Sequence, residues 1–139
     1  MTLRTIGGAL VCAAALWVCG AMSAGADSPA HDALKNFGNR LYTLGEQNGG
    51  TPRDWAVAEA RVLAVWDALA AENRLDPAEL SDKGTPLLSR AAQNGYAFAV
   101  NRLLAMPDAK AALDLPDEQG LTAYHHAQLA VRVTLRACH

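Results

Sequence analysis

The feature that most constrains this chain is the stretch from Asp82 to Leu104, DKGTPLLSRAAQNGYAFAVNRLL, which carries the signals of two short helices and a turn. Thr85 is predicted to cap the first helix, and Pro86 to occupy its first position, where a missing N–H has no cost. Gly95 allows the left-handed conformation that often ends a helix. Apolar residues then recur at helical spacing, so the second helix must fold back to bury them. The stretch predicts a helical hairpin with small residues at its crossing, Ala91 and Ala92.

This hairpin resembles an ankyrin repeat, in which a turn glycine, Thr-Pro-Leu, Ala-Ala, Gly and Val-x-x-Leu-Leu follow in that order. A partial second copy begins at Gly120, where GLTAYHHA is similar to the family's Gly-x-Thr-Pro-Leu-His-x-Ala. Gly84 and Gly120 are 36 residues apart, close to the family's period of about 33. No glycine matches Gly95 in the second copy, and we expect a second helix to be still running at His139. The resemblance implies stacked hairpins that share an apolar seam and bind another protein.

Upstream of this region, apolar spacing predicts two further helices, at about 31–44 and 51–72. Thr51 is expected to cap the second, and a glycine-rich breaker separates the two. We interpret the pair as a divergent cap, residues 27–81, on the open end of the repeats in residues 82–139. Each helix has one inward stripe, with Leu34, Phe37, Leu41 and Leu44 in the first and Trp55, Ala58, Val62, Trp66 and Leu69 in the second.

No stretch of the sequence has the alternation of a strand, so the predicted fold class is all-α. It is a short ankyrin-like helical repeat stack, with one and a half to two recognisable repeats, capped by the N-terminal helical pair.

Residues 1–26 have the composition of a secretory signal peptide. Arg4 supplies the positive start, an apolar run follows, and Ala24-Gly25-Ala26 forms a small-x-small site, so we expect cleavage after Ala26. An uncleaved membrane anchor and a lipoprotein modified at Cys19 are the alternatives. Cleavage predicts a periplasmic or secreted protein without a membrane segment.

The chain that remains after this cleavage has 113 residues and a formal charge of −3. Positive and negative residues are interspersed, so the sequence has no cluster of positive charge that would bind nucleic acid or an anionic membrane. Cys138 is then the only thiol, which excludes an internal disulfide. It is either paired with another chain or a tolerated free thiol.

The most inviting residues for chemistry are the adjacent His125 and His126, but neighbouring residues on a helix point about 100° apart and cannot share a metal as an i, i+4 pair does. His125 stands where the resemblance implies a histidine that helps to hold the turn, and His126 is expected to be exposed. A metal or haem site built from His126, Cys138 and His139 remains the alternative reading of this region.

Other catalytic arrangements have less support in the sequence. Ser89 and Cys138 have no nucleophile motif around them, and Gly45 to Gly50 lacks the lysine that follows a phosphate-binding loop. Acidic residues of the 51–72 helix lie opposite its tryptophans, as on a solvated face. We therefore predict no enzyme activity and no cofactor.

Two functions are consistent with this pattern. The first is a non-catalytic protein–protein interaction module, an adaptor or an inhibitor or immunity-type binder of a periplasmic protein, and the second is a small metal- or haem-handling protein. In the first, Ala91, Leu103, Leu104 and Ala127 belong to the core. The concave face would present Asp82, Lys83, Arg90, Asn94, Glu118, Gln119 and His126 to the partner.

Overall fold

The computed structural model describes residues 27–137, with side chains described as far as residue 131. The predicted leader and the residues Cys138 and His139 lie outside the described residues. Six helices follow in order: α1 (Pro29–Glu46), α2 (Pro52–Ala71), α3 (Leu87–Gln93), α4 (Ala97–Leu104), α5 (Ala109–Leu113) and α6 (Ala123–Ala137). The described range contains no strand beyond one isolated antiparallel bridge, between Leu80 and Pro86. The predicted all-α, repeat-like fold is confirmed.

The first hairpin, α1 and α2, has strong local signals at both helix starts. The Ser28 hydroxyl caps α1 by accepting the N–H of His31. Thr51 and Asp54 form a reciprocal capping box on α2, as the sequence predicted for Thr51. Trp66 then ties the two helices together, because its buried indole N–H donates to the carbonyl of Ala30 at 3.1 Å.

Trp55 was predicted to face the core of this hairpin, and that prediction is wrong. Its side chain is 38% exposed, and its indole N–H donates to the carbonyl of Gly49 at 2.8 Å. Gly49 lies in the loop between α1 and α2, so the Trp55 ring packs over that loop. The other residues of the predicted stripe are buried in the core, namely Ala58, Val62, Trp66 and Leu69.

The second hairpin, α3 and α4, starts one residue later than the sequence predicted. Pro86 is the residue before the helix, α3 begins at Leu87, and Thr85 does not cap it. The reason is that the Thr85 carbonyl already accepts the N–H of Ser81, which keeps the chain extended through Pro86. Gly95 ends α3 with φ of +69°, as predicted.

Two turns, Ser81–Thr85 and Asp117–Leu121, have the same hydrogen bonds. In each, the first residue's N–H donates to the last residue's carbonyl at 2.9 Å, and the glycine N–H donates back to the first residue's carbonyl at 3.0 Å. The first residue's side chain, a hydroxyl or a carboxylate, also accepts the last residue's N–H, at 3.1 and 3.0 Å. The structure therefore repeats the turn at the spacing of the sequence copy.

The second copy does not complete its hairpin. We expected a separate second helix, but α6 runs without interruption from Ala123 to Ala137. Gly95 lets the chain reverse after α3, whereas the corresponding position in the second copy is Val131, which has no glycine freedom and continues the helix.

The core is one cluster of buried residues drawn from both halves of the chain, with α3 packed against α1, α4, α5 and α6. Ala91 and Leu103 are buried in it, as predicted. Leu104 is 43% exposed and Ala127 is also exposed, so both predictions of a core position are wrong. Adjacent helical residues diverge, and Leu103 takes the inward direction on α4.

Replacing Leu103 by Ala is expected to lower the free energy of unfolding by about 2–5 kcal/mol, because a completely buried leucine leaves a cavity. The half-exposed Leu104 is the matched control, and Leu104→Ala should cost less than about 1 kcal/mol. Urea unfolding of both variants measures the difference. Equal, small losses would contradict the stacked arrangement.

Candidate functional site

A polar cleft lies where the two repeated turns meet Asp27, which precedes α1, Lys35 of α1 and the exposed side of α3. Its volume is about 430 Å³. Five of the seven residues predicted for the partner-binding face line it together, namely Asp82, Lys83, Arg90, Glu118 and Gln119. The other two, Asn94 and His126, line a neighbouring depression of about 540 Å³. Gln93 and Gln119 border both spaces, so the two form one continuous surface.

Arg90 is held at one wall of the cleft by an ion pair. Its guanidinium donates to the carboxylate of Asp27 at 3.0 Å, and the second oxygen of that carboxylate accepts the N–H of Asp82, also at 3.0 Å. Burial alone would raise the pKa of Asp27, whose side chain is 7% exposed. The bonds from Asp82 and Arg90 outweigh burial and lower the pKa to about 2. Asp27 is therefore a fixed negative charge.

A fully buried histidine supports Arg90 from behind. One ring nitrogen of His31, Nε2, lies 2.8 Å from the carbonyl of Glu79, and the other, Nδ1, lies 3.2 Å from the guanidinium of Arg90. A carbonyl can only accept and a guanidinium can only donate, so Nε2 carries the proton and Nδ1 accepts. The ring thereby fixes the direction of Arg90, and this residue is less available to a partner than the sequence predicted.

The exposed position predicted for His126 is wrong. Its side chain is buried, and its Nε2 lies 2.6 Å from a carboxylate oxygen of Asp117. The N–H of Leu121, together with His126 and Gln119, lowers the pKa of Asp117 against the opposing effect of burial. His126 thus braces the second turn from inside.

His125 bonds to the backbone where the turn meets α6, as expected of a histidine that helps to hold the turn. Its Nδ1 accepts the N–H of Thr122 at 3.2 Å, at the start of α6.

The described part of the chain does not bring together groups for metal binding or nucleophilic chemistry. It contains no cluster of three His, Cys, Asp or Glu side chains that could hold an ion. The Ser89 hydroxyl is buried and without a hydrogen-bond partner among the described residues, so a substrate cannot reach it. Asp67, one of the acidic residues on the exposed face of α2, forms an ion pair with Arg102, with 2.9 Å between the carboxylate and guanidinium atoms.

Several residues of the cleft were not predicted. Asp117 could have been found, because it holds the place of Ser81 in the repeated turn. Asp27 had no local signal, since its partners Asp82 and Arg90 are 55 and 63 residues away in sequence. The residues missed are Asp27, Lys35, Ser81, Thr85, Gln93 and Asp117.

Comparison of the chain with models of protein families, with curated proteins and with solved structures gives no match. None of the described helices is both long and apolar enough to cross a bilayer. The geometry of the cleft is therefore the basis for assigning a function.

Replacing Asp27 by Asn should lower stability at pH 7 by about 1 kcal/mol, because the variant loses a partly solvent-screened ion pair. The pKa of Asp27 is about 2 in the folded protein against an ordinary 3.8. Its contribution is therefore complete above pH 3.8 and is lost as the pH falls toward 2. Urea unfolding at pH 7, 4 and 2 should show the deficit of Asp27→Asn shrinking with acid.

The control for this prediction is Asp114→Asn, which changes an exposed carboxyl with no hydrogen bond to the described residues. It should stay within about 0.5 kcal/mol of the parent protein at pH 7. A deficit of Asp27→Asn that is as large at pH 2 as at pH 7 would show that the ion pair is not its source.

Proposed function

We propose that this chain is an exported, non-catalytic ankyrin-like domain that binds a periplasmic or secreted protein through the polar cleft. In this role it is an adaptor, or an inhibitor or immunity-type binder of another exported protein. The observation that carries the proposal is the convergence of five residues, predicted from the repeat pattern alone, on one cleft between two copied turns. Fold alone does not fix a function, so the chemistry of the cleft has to define the partner.

The charges left for a partner in the cleft are balanced. Asp27 and Arg90 neutralise each other, and Asp117 is occupied by the turn and by His126. Lys35, Lys83, Asp82 and Glu118 remain exposed, two of each sign. A phosphate backbone would need an excess of cations, so a protein segment that bears both signs of charge fits this cleft better.

The two exposed glutamines add contacts that do not depend on charge. Gln93 and Gln119 stand between the cleft and the neighbouring depression, and neither side chain hydrogen bonds to the described residues. A glutamine amide offers donors and an acceptor together, so it can bond to both polar groups of a peptide unit. An extended or looped segment of the partner has peptide groups free to bond to both glutamines, so we expect the partner to bind through such a segment.

Export is the second part of the proposal and rests on the sequence of residues 1–26. Cleavage after Ala26 would leave Asp27 as the first residue. Its carboxylate already binds Asp82 and Arg90, so processing would leave this contact of the cleft in place.

The metal- or haem-handling alternative has less support. Its nearest described ligand, His126, is buried and already bonded to Asp117 at 2.6 Å. With Nε2 bonded to Asp117, only the other ring nitrogen of this buried side chain, Nδ1, would be left for an ion.

Capture of a partner tests the cleft. The protein, expressed from its own start with a C-terminal tag, is expected to retain a periplasmic protein in a pull-down. The double change Lys83→Ala with Gln119→Ala should reduce capture at least tenfold. Both side chains are exposed cleft residues whose loss leaves no buried group unpaired.

The matched control is Lys110→Ala with Gln47→Ala, which removes the same two residue types from exposed positions outside the cleft and the depression. It should capture as much partner as the parent protein. Equal retention by the cleft variant and the control would place the binding surface elsewhere.

Processing is tested separately by mass. The protein recovered from the periplasm should have the intact mass of a chain that begins at Asp27. A mass that includes Met1 to Ala26, or a lipid on Cys19, would contradict cleavage after Ala26.

A further inference from the structure

A second and more apolar pocket lies between α1 and α2, on a surface separate from the polar cleft. Its volume is about 220 Å³, and none of its residues lines the cleft. Phe37 from α1 and Ala58, Val62 and Val65 from α2 form its apolar wall. Phe37, Ala58 and Val62 belong to the buried core, whereas Val65 is 39% exposed. The pocket thus gives access from the surface to core side chains.

Two arginines stand at this pocket, one from each helix. Arg40 and Arg61 are both exposed and line it. Within the described residues neither guanidinium makes a hydrogen bond or an ion pair, and neither has an acidic residue three or four positions away on its own helix. The hydrogen bonds from Thr51 lower the pKa of Asp54, and Arg40 adds a smaller electrostatic effect without bonding to that carboxylate. Two cations that make no hydrogen bond or ion pair with the described residues therefore flank an apolar space.

The size and charge of the pocket define what fits it. Pockets that enclose a whole drug-sized ligand measure about 300–1,000 Å³, so this one suits a single large apolar side chain. Guanidinium groups bind carboxylates through paired, charge-assisted hydrogen bonds. The C-terminal residue of a polypeptide carries a carboxylate on the same Cα as its side chain. A single C-terminal residue can therefore fill the apolar space with its side chain and pair with the arginines through its carboxylate.

We propose that this pocket binds the C-terminal residue of a polypeptide that ends in a large apolar amino acid. The apolar side chain enters between Phe37 and Val62, and the terminal carboxylate lies between Arg40 and Arg61. This site is independent of the polar cleft, so the two proposals can fail separately.

The minimal probe is N-acetyl-L-phenylalanine, compared with its uncharged amide in titrations of the ¹⁵N-labelled protein followed by NMR. The carboxylate should shift the backbone amide signals of Phe37, Ala58 and Val62 and bind at least tenfold more tightly than the amide, because only the carboxylate pairs with the arginines. Equal affinities, or no shifts at these residues with either compound, would overturn the proposal.

Variants assign the charge preference to the two arginines. Arg40→Gln with Arg61→Gln should weaken binding of the carboxylate about tenfold or more and leave the amide unaffected. Arg53→Gln, which removes an exposed arginine of α2 outside the pocket, is the control and should bind as the parent protein does. The spectra themselves report whether each variant is folded. A preference for the carboxylate that survives the double change would contradict the assigned role of the arginines.

Octanoate separates a polypeptide end from a lipid-derived carboxylate. It has the same charge and a flexible apolar chain, but no peptide unit. We expect it to bind more weakly than N-acetyl-L-phenylalanine. If octanoate bound at the same residues as tightly or more tightly, a fatty acid would be the better occupant and the polypeptide assignment would be overturned.

Discussion

The structure depends on the burial of α3, a helix of only seven residues. A helix this short is not stable alone in water, so its neighbours must supply the stability. Five of its residues are buried, and α1, α4, α5 and α6 all pack against it. The small side chains of Ala91 and Ala92 let several helices approach at once. The first copied turn precedes α3, and the second precedes α6, which packs against α3. The geometry of the polar cleft between the turns therefore follows from the position of α3.

Much of this arrangement could be predicted because its signals are local. Short stretches of sequence are enough to identify three of these features. They are the capping box at Thr51, the glycine that ends α3, and the apolar stripes of period 3.6 in α1 and α2. The two turns could be predicted because they are copies. Five of the seven predicted binding residues fall in one cleft for the same reason, since equivalent positions in stacked units lie side by side.

Three of the differences from prediction concern interactions that the sequence pattern alone does not specify. His126 was expected at the surface, but it pairs with Asp117, nine residues earlier. Asp27 joins the cleft through partners more than fifty residues away. Trp55 has the spacing of a core residue, yet its indole N–H binds a loop carbonyl. In each case a polar atom has a specific partner that the local sequence pattern does not identify.

Hydrogen exchange at α3 tests the central claim most directly. If α3 is stabilised by the helices around it, the N–H groups of Ala91 and Ala92 should exchange only through global unfolding, as slowly as the core of α2. Leu103→Ala should then accelerate α3 and α2 together. Fast exchange of Ala91 and Ala92 while α2 remains protected would mean that α3 opens on its own. The copied turns would then not be held in a fixed relative position, and the cleft between them would not have a fixed shape.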